Sequence, residues 1–175
     1  MQKVIISVDI GKKGAICVLH KDGSISLDSM PMIKDEVDYH QLWMHLAMEK
    51  NKHPFNGITV IFEKLGVIFG TSKATAFSMG HQAGALEGMC IALGIPFHKI
   101  TAKVWQKELF QGTVLVTKKS KSGKSTVTDT KATALIVAKQ LFPDVKLTFG
   151  DRATKPHDGL IDAILLAEFA KRKNL

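Results

Sequence analysis

The chain opens on apolar runs of strand length. Val4-Ile5-Ile6-Ser7-Val8 is rich in β-branched residues and ends in one carboxylate, Asp9. Such a run reads as a buried strand. Gly11 and Gly14 permit a tight turn into a second apolar run. Three strands are predicted, roughly Lys3–Val8, Gly14–His20 and Ser24–Met30, the last two joined by the Asp-Gly turn Lys21-Asp22-Gly23. Pro31 ends this meander. From Asp38 to about Lys50, Leu42, Trp43, Leu46 and Ala47 recur at helical spacing. Ile58–Phe62 is another buried strand, and it too ends in a carboxylate, Glu63.

An apolar loop bounded by glycines, Lys64–Gly70, leads to a helix predicted from about Ser72 to Leu93 and ended by Gly94. Its small residues, Ala76, Gly80, Ala83, Gly84 and Gly88, suit close approach to a sheet or a second subunit. Ile95–Ile100 is a fifth strand, and Thr101 caps a short helix through Trp105 and Leu109. Residues 117–126 contain four lysines, several hydroxyls and no apolar side chain, which predicts a flexible basic loop. Thr128 or Asp129 caps the next helix, and Pro143 stops it. Asp151 lies in the following loop, and the last helix begins near His157-Asp158. The order is βββ-α-β-α-β followed by helices: a mixed α/β fold in one domain, residues 1–175.

Bulk properties narrow the function class. A formal net charge of +8 favours a polyanionic partner. Cys17 and Cys90 lack metal-site spacing and read as core residues of a reducing compartment. No apolar stretch approaches the roughly 18 residues of a membrane span, and no signal-peptide pattern is present. The expectation is a soluble cytoplasmic protein.

Four acids stand out by placement: Asp9 and Glu63 at strand ends, Asp158 and Asp162 in the last helix. The last pair is four apart and so shares a helix face. If the two strands are neighbours, the four carboxylates converge. They would then repel one another unless cations lie between them, and oxygen-only ligands suit Mg²⁺ or Mn²⁺. Two such ions about 4 Å apart form a clamp for phosphodiester cleavage. Each acid also has a plainer reading: Asp9 as a turn residue, Asp158 as a helix cap.

Val8-Asp9-Ile10-Gly11, Ile61-Phe62-Glu63-Lys64 and His157-Asp158-Gly159-Leu160-Ile161-Asp162-Ala163 resemble the acidic motifs of RuvC-type Holliday junction resolvases, of the ribonuclease H-like superfamily. The segment from Gly80 to Gly88, Ile95-Pro96-Phe97 and Thr101–Lys107 resembles the shorter, phage-encoded branch. The likeness spans nearly the whole chain. It implies a five-stranded mixed sheet in the order 3-2-1-4-5 with helices on both sides. It implies a homodimer acting on four-way or otherwise branched DNA, in a bacterial or phage-infected cell. It implies Asp9, Glu63, Asp158 and Asp162 as Mg²⁺-binding catalytic residues, with two ions per site and Mn²⁺ as substitute. Bacterial RuvC usually has its last two acids three apart; here Gly159 holds that position. This weakens the match at Asp158 and makes His157 a candidate ligand or proton-transfer group.

DNA binding would rest on phosphate neutralisation. Lys118, Lys119, Lys121 and Lys124 of the basic segment are the foremost candidates, with Lys12 and Lys13 beside Asp9. Phe69, in the loop after Glu63, is a candidate to stack on or wedge between bases. Three other readings stay open. One is a related nuclease acting on RNA–DNA hybrids or flaps. Another is a non-catalytic junction-binding protein. The third, a sugar-kinase or actin-like ATPase, rests on Asp9-Ile10-Gly11, and the chain's length argues against it.

Overall fold

The computed structural model describes residues 3–53, 57–66, 72–120, 122–150 and 152–175. Phe69, Lys121 and Asp151 lie outside the described residues. In chain order the elements are β1 (Val4–Asp9), β2 (Ala15–Leu19), β3 (Ile25–Ser29), the two-residue strands β4 (Met32–Ile33) and β5 (Glu36–Val37), and α1 (Tyr39–Lys52). There follow β6 (Ile58–Glu63), α2 (Lys73–Ala92), β7 (Phe97–Ile100), α3 (Ala102–Leu109), β8 (Thr117–Lys119), β9 (Thr126–Thr128), α4 (Thr130–Leu141) and α5 (Asp158–Lys173). The central sheet runs β3-β2-β1-β6-β7. Counted among its own members, that is the expected order 3-2-1-4-5. β2 is antiparallel to β1 and β3, whereas β1, β6 and β7 are parallel.

Strand alternation sorts the core into two layers. Val4, Ile6 and Val8 of β1, with Ile58, Val60 and Phe62 of β6, pack with Leu42 and Leu46 of α1 and Leu86 and Cys90 of α2. Ile5 and Ile61 face the other way, onto α5 and onto Trp105 and Leu109 of α3. α5 is the buried element of this second layer, hidden from Gly159 through Ala170 except at Asp162 and Glu168. Ser7, itself fully buried, donates its hydroxyl to the Ala163 carbonyl and ties α5 to β1. Both cysteines are buried free thiols.

Two expectations are corrected. The basic segment is not simply a loop: its ends pair as the antiparallel hairpin β8–β9, with Thr117 opposite Thr128 and Lys119 opposite Thr126. Every residue of both strands is exposed, so no apolar alternation was there to announce them. The small-residue stripe of α2 does not serve close packing onto the sheet. A Cβ added at Gly80, Gly84 or Gly88 would meet nothing within 4 Å. The buried side of α2 is instead Gln82, Leu86 and Cys90.

Candidate active site

The parity that sorts the core also aims the acids. Asp9 and Glu63 are each one step beyond the paired Val8 and Phe62. They share the face of Ile5 and Ile61, the face that α5 covers. β1 and β6 therefore end side by side with both carboxylates turned towards that helix. Glu63 accepts a 2.7 Å hydrogen bond from Trp105 Nε1 of α3. A buried indole N–H needs an acceptor, and this one fixes the carboxylate it meets.

One glycine closes the β1–β2 turn and another lets α5 approach it. At Gly14 a Cβ would fall 1.9 Å from the Asp9 carbonyl oxygen. At Gly159 it would fall 2.5 Å from the Lys13 carbonyl oxygen and 3.1 Å from Asp9 Oδ2. The first turn of α5 thus lies directly on the β1–β2 turn, against the Asp9 side chain. No side chain fits at position 159, so an acid three before Asp162 has no room here. Asp158 and Asp162 flank that contact, and both line a cleft of about 460 Å³ together with Asp9, Lys13, Lys131 and His157.

The electrostatics follow from burial first and from crowding second. Burial pushes the Asp9 carboxyl up to about 8, helped by the negative charges of Asp162, Glu63 and Asp158 and opposed by Lys131. Asp162 is pushed up to about 7 by burial, then by Glu63 and Asp158, again opposed by Lys131. Burial also raises Glu63, and the Trp105 hydrogen bond partly offsets it. The four acids feel one another, yet among the described residues no three of them bring one oxygen each within 4.8 Å of one another. The charge is spread across the cleft rather than focused on one point.

Sequence reading missed Lys131. Its ammonium pairs with Asp158, a contact that raises the lysine's own pKa. A cation in the first turn of a helix opposes the helix dipole, and that was the available signal. In the sequence Trp105 stands only as a member of the short helix after Thr101, and Lys155, another residue lining the cleft, carries no signal.

The remaining expected residues divide. His157 holds the N-cap position of α5 without a side-chain cap; its ring packs edge-on to Phe149 at 4.5 Å, and its Nδ1 is buried without a hydrogen-bond partner. Lys13 lines the cleft, while Lys12 lines a neighbouring groove with Tyr39, Phe77 and His81. Lys118, Lys119 and Lys124 are exposed and are not among the described residues lining the cleft. Lys118 is held at 3.1 Å by Asp129, the cap of α4.

No family model matches the chain, and no curated protein matches it in sequence. Solved structures do match. RuvC of Thermus thermophilus in complex with a Holliday junction substrate aligns at 11% identity with a TM-score of 0.58, over 97% of this chain and 96% of that one. A second Thermus thermophilus RuvC structure gives 15% identity and 0.55, over 98% and 96%. The yeast mitochondrial Holliday junction resolvase Ydc2 gives 15% identity and 0.51, over 98% of this chain and 78% of that one. The chain therefore shares the fold of these RuvC and Ydc2 structures, a mixed five-stranded sheet flanked by helices. No described helix is long and apolar enough to cross a membrane.

Proposed function

We propose that the chain is a divalent-metal-dependent endonuclease that cleaves branched DNA, foremost four-way junctions. The observation that carries this reading is the convergence of Asp9, Glu63, Asp158 and Asp162 at one end of a RuvC-like sheet. Their donor chemistry fits the metal: every ligand is a carboxylate oxygen, the set that Mg²⁺ or Mn²⁺ accepts. Lys131 alone cannot balance four acids, and the raised carboxyls mark a cleft that favours added positive charge. Spread over the cleft, the acids suit two ions better than one. When bound, such ions activate a water and stabilise the leaving oxygen.

The protein's own groups do the rest. Asp9, on a core strand, and Glu63, fixed by Trp105, are rigid ligands. Asp158, exposed and paired to Lys131, and Asp162 complete the set from α5. Lys131, paired to Asp158 at the cleft, would be placed to stabilise charge developing on the phosphate that is cleaved. Lys13 and Lys155 flank the same cleft. Lys12, Lys119 and Lys124 offer phosphate contacts further along the backbone, which predicts binding that weakens steeply with salt. A homodimer would present two clefts to two strands. Exposed Phe77 and Ile91 lie in one stripe of α2 with the open glycines 80, 84 and 88, and that stripe is the face available for pairing.

The test is cleavage of matched substrates with Mg²⁺: a four-way junction, a linear duplex, a flap and an RNA–DNA hybrid, with Asp9→Asn alongside. Paired symmetric nicks on the junction, absent in Asp9→Asn, are expected. Preference for the hybrid would reassign the substrate while keeping the site. Tight junction binding without cleavage in Mg²⁺ or Mn²⁺ would overturn the catalytic reading.

A further inference from the structure

At the opposite end of the sheet, three side chains converge that the nuclease reading does not use. His20 follows β2 at the end of the ladder where Ile5 pairs with Leu19, away from the Asp9–Ala15 end. Glu49 lies in the last turn of α1, and His53, four positions on, is the residue that caps the helix. One ligand atom from each of His20, Glu49 and His53 lies within 4.8 Å of the other two.

Glu49 is the informative member. It is only 7% exposed. Its Oε1 accepts a 2.6 Å hydrogen bond from Lys52 Nζ. Its Oε2 is buried with no hydrogen-bond partner, 3.8 Å from His53 Nε2. A buried carboxylate oxygen without a donor is costly, and this one faces an imidazole too distant to bond it. The gap has the size of an ion: ligands about 2.0–2.1 Å from a tetrahedral zinc are about 3.3 Å apart, so modest closing brings all three into range.

We propose that His20, Glu49 and His53 form a divalent-metal site of the zinc class. Two imidazoles and one carboxylate are a donor set that zinc accepts, with a fourth position left for water. The outer contacts that orient metal ligands are in place. The His20 ring is held by Ser26 Oγ, 3.1 Å from Nε2, and Glu49 Oε1 is held by Lys52. The ion ties the turn between β2 and β3 to the end of α1, clamping a hairpin to a helix far from the cleft.

The test is Zn²⁺ titration calorimetry and Co²⁺ absorption spectroscopy on the full chain. An Asp9→Asn/Asp162→Asn background removes competition from the acidic cleft. One Zn²⁺ equivalent is expected in that background, with the visible absorption of tetrahedral Co²⁺. His20→Ala and His53→Ala, made separately in it, should each weaken binding by about 100-fold or more. Both histidines are partly exposed, and melting curves in chelator will verify that the variants fold. Absence of a Zn²⁺ equivalent in the Asp9→Asn/Asp162→Asn protein, or an equivalent that both histidine variants retain, would overturn the proposal. Glu49 would then be the buried partner of Lys52 and His53 only.

Discussion

The two ends of the central sheet hold clusters of titratable side chains built on opposite plans. At the C-terminal ends of β1 and β6, Asp9, Asp158 and Asp162 line one cleft with Lys131, which pairs with Asp158, and burial together with the neighbouring acids, Glu63 among them, pushes Asp9 up to about 8. At the other end, Glu49 stands between Lys52 and His53 with a second histidine beside it. The first cluster has only oxygen donors and repels itself. The second mixes nitrogen with oxygen and leaves a single acceptor unpaired. The difference teaches that burial of acids has two outcomes. Repelling oxygens invite hard dications that exchange with substrate, whereas a mixed set suits one ion that stays.

The largest effect that separates the ends is on cleavage. On the proposed function, Asp9→Asn should reduce junction cleavage about 10³-fold or more, because it removes a carboxylate proposed as a metal ligand. His53→Ala should leave cleavage in Mg²⁺ unchanged. Parallel activity loss in both variants would break the distinction. Lys131→Ala should cost about 10²–10³-fold in turnover by removing the cation proposed to stabilise developing charge. Its junction affinity should change far less, which gel-shift titration at fixed salt will measure.

Trp105→Phe keeps the apolar packing and removes the hydrogen bond to Glu63. Apparent Mg²⁺ affinity should fall about 10–100-fold, with maximal rate partly rescued at high Mg²⁺. A purely structural tryptophan would leave the metal dependence untouched. Gly159→Ala forces a Cβ to within 2.5 Å of the Lys13 carbonyl oxygen. Urea denaturation should show a loss of about 1–3 kcal/mol, the range typical of overpacking.

The smallest effect is on pH. In the folded, metal-free chain Asp9 is raised to about 8 and Asp162 to about 7, so the folded state holds protons that the unfolded state has released. The contribution of these two acids to stability is therefore fully present below about pH 4 and is lost as pH rises from there through about 7 and 8. Urea midpoints should drop across that window without metal. Asp9→Asn should flatten the slope, and saturating Mg²⁺, which binds the ionised carboxylates, should offset it. A slope unchanged by Asp9→Asn would separate the acid cluster from this behaviour.

Much of the fold was legible because it was written in local pattern. The β-branched runs at 4–8 and 58–62, the Asp-Gly turn at 22–23 and the period of Leu42 and Leu46 each declare an element by residues close in sequence. The cap at Asp129 did the same for the start of α4, and it accepts the backbone hydrogen bond expected of it. The hairpin β8–β9 was not legible, since its pairing is between backbones and both faces are solvated. Nor was the open side of α2. Glycines predict that a neighbour can come close, but they do not say that one does.

The sequence by itself determined which runs form the sheet's strands, and it singled out four acids by their positions at strand ends and on one helix face. Alternation along β1 and β6 needs no partner to be read, and it commits Asp9 and Glu63 to the same side. Only the tertiary structure decided what meets those acids. Lys131, Trp105 and Gly159 enter the site through packing of α3, α4 and α5 over the sheet. His20 joins Glu49 and His53 across about thirty positions of chain. Such meetings depend on which faces come together and at what distance, and a residue's sequence neighbours hold no record of either.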